Sequence, residues 1–159
     1  MAIIATRIDG RLVHGQVANL WTTKLQASRI MVVDDKVSKS AVEKSGLRMA
    51  APASVRLSVL DVNTAAAHIL AHKYDSQRMF IVAKKPQTLL ALVKAGVEIK
   101  EINVGNMSQT DETRSLTKSI NVVDDDVKAF EELDKLGVHL IAQMVPGDNP
   151  TEFMSLLKK

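Results

Sequence analysis

The chain contains no cysteine and few aromatic residues. Its 159 residues include 0 Cys, and aromatic side chains make up only 3%. The absence of cysteine excludes disulfides, thiolate nucleophiles, iron–sulfur clusters and cysteine-rich zinc sites. So few rings argue against a stacking surface for single-stranded nucleic acid. Any chemistry must use other side chains, and the first candidates are the four histidines, His14, His68, His72 and His139.

The chain also lacks a strong charge bias and a long hydrophobic run. Lys and Arg number 21 against 18 Asp and Glu, which gives a formal net charge of +3. The basic residues are spread along the sequence, which favours a local anion site over a nucleic-acid-binding face. No stretch approaches the length of a membrane span, and no basic segment precedes the short apolar amino terminus. These absences predict a soluble, cytoplasmic protein.

The length and hydrophobic content predict one domain over residues 1–159. A hydrophobic content of 46% is enough for one sizeable core, and no repeat or linker divides the chain. Short β-branched runs alternate with helical patterns, which is typical of βαβ units. The runs are nearly continuously apolar, as expected of strands covered on both faces. The sequence thus predicts an α/β fold: an open, doubly wound, mostly parallel sheet of about seven strands with helices on both faces.

The same patterns predict where the elements lie. Strands are expected at residues 2–7, 29–33, 55–59, 79–82, 101–104, 120–123 and 138–145. Helices are expected at residues 14–25, 38–49, 62–72, 87–95, 125–136 and 151–157. The polar stretch 105–117 is long for a connection within a compact domain, so we predict a functional loop there.

The densest group of charged residues follows the first predicted strand. Residues 7–17 read Arg-Ile-Asp-Gly-Arg-Leu-Val-His-Gly-Gln-Val and lead into a predicted helix. Ligands of open α/β sheets bind outside the carboxyl ends of the strands. A strand at this position would only bury its charges, so we expect an exposed loop at the ligand-binding edge.

His14 is the candidate centre of this loop, because a neutral imidazole is nucleophilic and changes charge near physiological pH. Arg7 and Arg11 are expected to clamp an anion, and the helix start at Gly15 would add backbone donors. Asp9 is expected to hold the imidazole in one tautomer or to orient an arginine. A phosphoryl group fits these donors, and its covalent transfer through a phosphohistidine fits every part.

Two alternatives remain open at this point. In the structural one, Arg7, Asp9 and Arg11 form surface ion pairs and His14 merely caps a helix. In the functional one, the chain is a noncatalytic regulatory module in which Arg7 and Arg11 hold a phosphorylated ligand reversibly. Covalent labelling of the protein with phosphate would distinguish transfer through a phosphohistidine from reversible binding of a phosphorylated ligand.

Residues 7–17 resemble the active-site signature of a known family. The family comprises the IIB components of the mannose/fructose/sorbose class of bacterial sugar phosphotransferase systems, which includes N-acetylgalactosamine systems. The similarity continues over essentially the whole chain, at Trp21, residues 30–35, residues 102–107, Gly137 and residues 143–146. Many members resemble Gly-Gly-Met where this chain has Gly105-Asn106-Met107.

The resemblance implies that His14 accepts a phosphoryl group from the phosphohistidine of a IIA domain. His14 would then pass it to a sugar that enters through membrane IIC and IID subunits, as a protein-Nπ-phosphohistidine–sugar phosphotransferase. Arg11 would be the principal phosphate clamp, Arg7 and Gln16 would be secondary ligands, and no metal or other cofactor is required. The chain would be cytoplasmic and peripherally associated with its permease. The oligomeric state is open, with a homodimer as one alternative.

Further candidates are expected at the rim of this site or outside it. The rim candidates are Asp34, Asp35, Lys84, Gly105, Asn106 and Met107. His68 and His72 have the i, i+4 spacing of a metal edge but no acidic companion, so we favour a half-buried helix surface. His139 opens a predicted strand and is interpreted as structural. The acidic residues 124–126 are interpreted as the first turn of a helix.

Overall fold

A seven-stranded sheet forms the centre of the fold. The computed structural model describes residues 2–158, with strands β1 (Ile3–Asp9), β2 (Arg29–Val33), β3 (Arg56–Leu60), β4 (Met79–Ala83), β5 (Glu101–Asn106), β6 (Arg114–Ser115), β7 (Asn121–Val122), β8 (His139–Ala142) and β9 (Thr151–Glu152). The main sheet has the order β3-β2-β4-β1-β5-β8-β9, and β6 pairs with β7 in a separate hairpin. Only the β8–β9 pair of the main sheet is antiparallel among the described strands. The predicted mostly parallel α/β sheet is confirmed.

Helices cover both faces of this sheet. They are α1 (Gly15–Leu25), α2 (Ala41–Ala50), α3 (Val62–Leu70), α4 (Pro86–Lys94), α5 (Asp124–Lys135) and α6 (Phe153–Leu157), and a short 3-10 turn spans Val37–Lys39. A helix able to cross the bilayer would have to be longer and more apolar than any within residues 2–158.

Successive residues of the central strands enter two different cores. Met31 and Val33 pack in the cluster that includes side chains of α3 to α6. Ile30 and Val32 pack in the cluster that includes side chains of α1 and α2. Because both faces are covered, β2 gains from an apolar residue at every position, which explains its unbroken hydrophobic run.

The strand order creates a crevice beside the end of β1. The chain leaves β1 through α1 on one face of the sheet and leaves the neighbouring β4 through α4 on the other face. The carboxyl ends of these two strands are therefore a topological switch point, where open α/β sheets bind ligands. The loop that contains His14 lies at this point.

The structure places two predicted elements of the second half of the chain differently. The strand expected at residues 120–123 is present as β7, but it is not a member of the main sheet. β7 pairs with β6 instead, and β6 lies within the stretch predicted to be a loop. The helix expected at residues 151–157 begins at Phe153, because Thr151 and Glu152 form the edge strand β9 against β8. Along β5 the neighbours are β1 and β8, and Ile120 forms only an isolated parallel bridge to Met107, directly after the end of β5.

His139 connects three strands at this edge of the sheet. Its Nδ1 lies 2.9 Å from Glu101 Oε2 on β5, and its Nε2 is hydrogen-bonded to Glu152 Oε1 on β9. Glu152, and then Glu101, raise the pKa of His139 above its ordinary value by hydrogen bonding to the charged ring. The doubly protonated ring satisfies both carboxylates, so its charge helps to hold β9 in place.

We expect the free energy of unfolding to fall as pH rises through the raised pKa of His139. The folded-state pKa lies above the ordinary 6.5, so the contribution is complete below that pH and is lost above the folded value. The side chain is 49% exposed, so the effect should stay below about 1 kcal/mol. Urea denaturation of the native chain and of His139→Gln checks this expectation. The two should differ most below the ordinary pKa of 6.5 and converge as pH rises through the raised pKa of His139, and a difference that does not change with pH would contradict it.

Candidate functional site

The charged segment after residue 6 begins inside the sheet, not in a loop. β1 continues to Asp9, so Arg7 and Asp9 are strand residues with 2% and 1% exposure. The expectation of an exposed loop is therefore wrong for these two residues, and so is their assignment to surface ion pairs. They are buried because each neutralises the other, with Arg7 Nη2 3.2 Å from Asp9 Oδ2.

The Arg7 guanidinium has an acceptor for each of its five N–H groups. Nε and Nη2 donate to Asp9 Oδ2 at 3.3 and 3.2 Å. Nη1 donates to Asn103 Oδ1 on β5 and to the Gln143 carbonyl at 2.9 Å, and Nη2 also donates to the Met144 carbonyl at 2.9 Å. No donor is left for a phosphate. The structure thus contradicts the prediction that Arg7 is a phosphate ligand.

Residues of two further elements enclose this guanidinium. A Cβ atom on Gly105 of β5 would lie 2.0 Å from Arg7 Nη2, so only glycine leaves room for the side chain. The Trp21 ring of α1 lies 5.2 Å from the guanidinium carbon, close enough for a cation–π contact. Trp21 Nε1 also donates to the Met144 carbonyl at 3.0 Å. Burial lowers the pKa of Arg7, and the charge of Asp9 opposes that shift.

His14 lies at the start of α1 and faces Asp9. Its Nε2 is 3.1 Å from Asp9 Oδ2, and its side chain is 23% exposed. His14 occupies the N-cap position of α1, but its side chain forms no capping hydrogen bond to the helix. A carboxylate only accepts hydrogen bonds, so a neutral His14 donates from Nε2 and keeps its lone pair on Nδ1.

Buried residues on the loop hold His14 at the surface. Leu12 and Val13 are inserted into the core below α1, with 6% and 4% exposure. The backbone N–H of Arg11 donates to Asp9 Oδ1 at 3.0 Å, which fixes the other end of the loop. Gly15 has a φ of +43°, a conformation that side-chain-bearing residues rarely adopt, and open space lies above it. The loop therefore presents His14 on a rigid support.

Three predicted phosphate-binding residues lie at the exposed side of this loop. Arg11, Gly15 and Gln16 are all exposed. Arg11 has no ion-pair partner among residues 2–158, so its guanidinium is available to an anion. The first backbone N–H groups of α1, at Gly15 and Gln16, have no carbonyl of a preceding turn to bind. Together these donors form a surface suited to an anion beside His14.

The predicted rim residues Asp34 and Asp35 have structural partners. Asp34 Oδ1 accepts from the backbone N–H groups of Lys36 and Val37, each at 2.9 Å. Asp35 Oδ1 accepts from Val62 N at 2.9 Å, at the start of α3. Both carboxylates thus hold the turns that follow β2 and β3.

The remaining rim candidates surround the end of β1. Lys84 directly follows β4, whose Ala83 pairs with β1, and the side chain is half-buried there without an ion pair among residues 2–158. Asn106 accepts from Gly10 N at 2.9 Å through its carbonyl and thereby joins β5 to the His14 loop. Met107 is only 5% exposed and belongs to the core. Lys84 is thus the most accessible of these three residues.

The other three histidines lie outside the site. His68 Nδ1 is 3.2 Å from the Tyr74 hydroxyl, and His72 pairs with Asp75. His139 lies at the far edge of the sheet.

Sequence reasoning missed the residues that support the site from the neighbouring strands. Asn103, Gln143 and Met144 were matched to the family pattern but received no role. The usable signal was the polar Asn103 between the apolar Ile102 and Val104, in a strand that ends at the same edge as β1.

Comparison with known proteins agrees with this architecture. The family model described as PTS system sorbose subfamily IIB component matches residues 3–159. The chain belongs to this family. The family resemblance predicted from the sequence is confirmed, and IIB membership supports a phosphotransfer role in sugar uptake.

Relatives and solved structures cover the full IIB domain. The chain is 34% identical over 158 residues to the PTS system fructose-specific EIIB component of Bacillus subtilis (strain 168), covering 99% of this chain and 97% of that protein. It is 35% identical to the PTS system mannose-specific EIIAB component of Escherichia coli (strain K12), covering 100% of this chain and 49% of that protein. The IIBSor domain of the sorbose permease from Klebsiella pneumoniae has a TM-score of 0.95 at 34% identity, with 99% of this chain and 97% of that chain covered.

Gly105→Ala should destabilise the IIB domain, because the new methyl group would lie 2.0 Å from Arg7 Nη2. We expect a loss of roughly 1–3 kcal/mol, as for overpacking of a buried site, measured by urea denaturation. Gly46→Ala is the matched control, since nothing lies within 4 Å of a Cβ at this position in α2. It should leave stability unchanged or raise it by about 0.5–1 kcal/mol. Native stability in Gly105→Ala would contradict the close approach of Arg7.

Proposed function

We propose that this IIB chain relays a phosphoryl group through His14. The group would come from the phosphohistidine of a IIA domain and go to a sugar that enters through membrane IIC and IID subunits. The observation that carries the proposal is the 3.1 Å contact of His14 Nε2 with a buried carboxylate, Asp9, at the switch point of the sheet. This contact leaves Nδ1, the Nπ atom, as the nucleophile of a protein-Nπ-phosphohistidine–sugar phosphotransferase.

In the first step, the Nδ1 lone pair of His14 attacks phosphorus. The Nδ1–P bond forms while the N–P bond of the donor histidine breaks, and that electron pair returns to the donor ring. His14 keeps its proton on Nε2, where it stays hydrogen-bonded to Asp9 Oδ2, and the ring gains positive charge.

In the second step, a sugar hydroxyl oxygen attacks the same phosphorus. The Nδ1–P bond breaks, its electrons return to the His14 ring, and the hydroxyl proton leaves to water or to a base of the permease. His14 is thus regenerated in its neutral Nε2–H form, and the kinetics should be ping-pong.

Arg11 and the start of α1 support phosphoryl transfer electrostatically. Phosphoryl transfer depends mostly on positioning and on stabilising the charge of the equatorial oxygens. Arg11 is exposed and forms no ion pair among residues 2–158, and the exposed residues Gly15 and Gln16 begin α1 directly after His14. We assign Arg11 as the principal phosphate clamp, Asp9 as the orienting residue and Gln16 as a secondary ligand.

Exposure and charge at this edge support successive docking of two partners. Lys84 and Lys85 follow β4 next to the His14 loop and form no ion pairs among residues 2–158. Cations at a rim favour the approach of an acidic, phosphorylated surface. The Escherichia coli relative is a combined EIIAB component, which supports a IIA domain as the donor.

The same proposal locates the chain in the cytoplasm, peripherally associated with the permease. A homodimer gains no support from these observations. The noncatalytic alternative requires both Arg7 and Arg11 to hold a phosphorylated ligand. Arg7 does not fit that role, because every one of its N–H groups is engaged within the protein.

His14→Ala should abolish phosphorylation. Incubation with phosphoenolpyruvate, the two general phosphotransferase proteins and a matching IIA domain should label the native chain with acid-labile phosphate on Nδ1, and NMR can identify that nitrogen. The matched control is His72→Asn, since His72 is 77% exposed and has a φ of 61°, which asparagine tolerates. The control should be labelled like the native chain. Unaltered labelling of His14→Ala would exclude the relay.

Arg11→Ala should slow phosphoryl transfer by about 100-fold, the usual effect of removing one donor that stabilises a transition state. Stability should change by no more than about 0.5 kcal/mol, because the side chain is exposed and unpaired. Single-turnover transfer from phosphorylated IIA measures the rate, and urea denaturation measures the stability. Arg48→Ala, at another exposed arginine, on α2, is the matched control. Loss of stability with a native transfer rate would argue against the assigned role.

A further inference from the structure

We propose that Arg7 is the buried counter-ion of Asp9, which lets Asp9 orient His14 without drawing a second proton onto its ring. Arg7 is then a positioning residue that acts through Asp9 and contacts no phosphoryl group. The proposal rests on His14 as the phosphoryl acceptor and adds how the acceptor is kept nucleophilic.

One carboxylate oxygen connects the three residues. Asp9 Oδ2 lies 3.1 Å from His14 Nε2, 3.3 Å from Arg7 Nε and 3.2 Å from Arg7 Nη2. Arg7 and Asp9 are 2% and 1% exposed, so little water screens the attraction between their charges. His14 therefore hydrogen-bonds to a carboxylate whose charge is already compensated.

This compensation matters because protonation would inactivate the acceptor. A negative charge next to a histidine favours the imidazolium form, which has no lone pair to attack phosphorus. With Arg7 in place, Asp9 still accepts the Nε2–H bond that directs the ring. Asp9 can therefore orient the His14 ring without also favouring its protonation.

His139 shows the opposite arrangement in the same molecule. Glu101 and Glu152 contact its two ring nitrogens, and no cation neutralises them among residues 2–158. These carboxylates raise the pKa of His139. His139, with two carboxylates and no cation, thus differs from His14, whose single carboxylate is paired with Arg7.

The other charged groups at the switch point do not replace Arg7. Arg11 of the loop and Lys84 after β4 form no ion pair with Asp9. Asp34, after β2, is directed to the backbone N–H groups of the following turn. Arg7 stays beside Asp9 because the carbonyls of residues 143 and 144 hold the far side of its guanidinium.

Nitrogen-15 NMR of histidine side chains in the native chain gives a first test. At about pH 7 we expect His14 as the neutral Nε2–H tautomer, while His139 keeps imidazolium signals to higher pH. Imidazolium signals for His14 at about pH 7 would overturn the proposal. The experiment needs no IIA domain, so its failure is distinguishable from failure of the phosphoryl relay.

Charge variants of Arg7 give the second test. Arg7→Gln should move the pH profile of phosphoryl acceptance up by about one unit and lower acceptance at about pH 7 roughly tenfold. Arg7→Lys keeps the charge and should restore most of the native profile. Combining Arg7→Gln with Asp9→Asn removes both charges, so the pH profile of phosphoryl acceptance should return to its native position. The rate of acceptance should stay low, because the carboxylate that orients His14 is missing.

A purely structural role for Arg7 would lower the rate equally at every pH. A native pH profile in folded Arg7→Gln would therefore refute the proposal. Should Arg7→Gln fail to fold, the profile of Arg7→Lys and the NMR spectrum of the native chain decide the question.

Discussion

The buried ion pair between Arg7 and Asp9 is the constraint on which the site depends. Removing two charges from water costs more than their attraction returns unless the remaining hydrogen-bonding groups are also satisfied. Here the carbonyls after β8 and the Asn103 side chain satisfy the guanidinium, and Gly105 leaves the space that it occupies. The site is therefore assembled by the sheet as a whole, and the His14 loop is its exposed part.

The sheet topology reconciles burial of the carboxylate with exposure of the nucleophile. β1 lies between β4 and β5, so Asp9 at its end is covered from both sides. One turn later the chain emerges at the switch point, where His14 and Gly15 begin α1. The proposed relay needs such an arrangement, because the orientation of the phosphoryl acceptor must survive while its surroundings change.

The sequence predicted the local elements and the fold class well. The boundaries of β2 match the prediction, since an unbroken apolar run between polar residues is a local signal. The placement of the strand at residues 120–123 in the main sheet and the helix start at Thr151 were wrong for a different reason. Whether a short apolar run joins a sheet depends on a free neighbouring strand, which no local pattern reports.

The sequence alone determined His14 as the candidate nucleophile, Arg11 as its exposed neighbour and the family signature that surrounds them. Only the tertiary structure decided that Arg7 is buried and unable to bind phosphate. Its partners Asn103 and Gln143 are separated from it by 96 and 136 residues. A buried charge is stabilised by acceptors that the fold brings together, and their positions along the chain follow no periodicity that a sequence pattern could reveal.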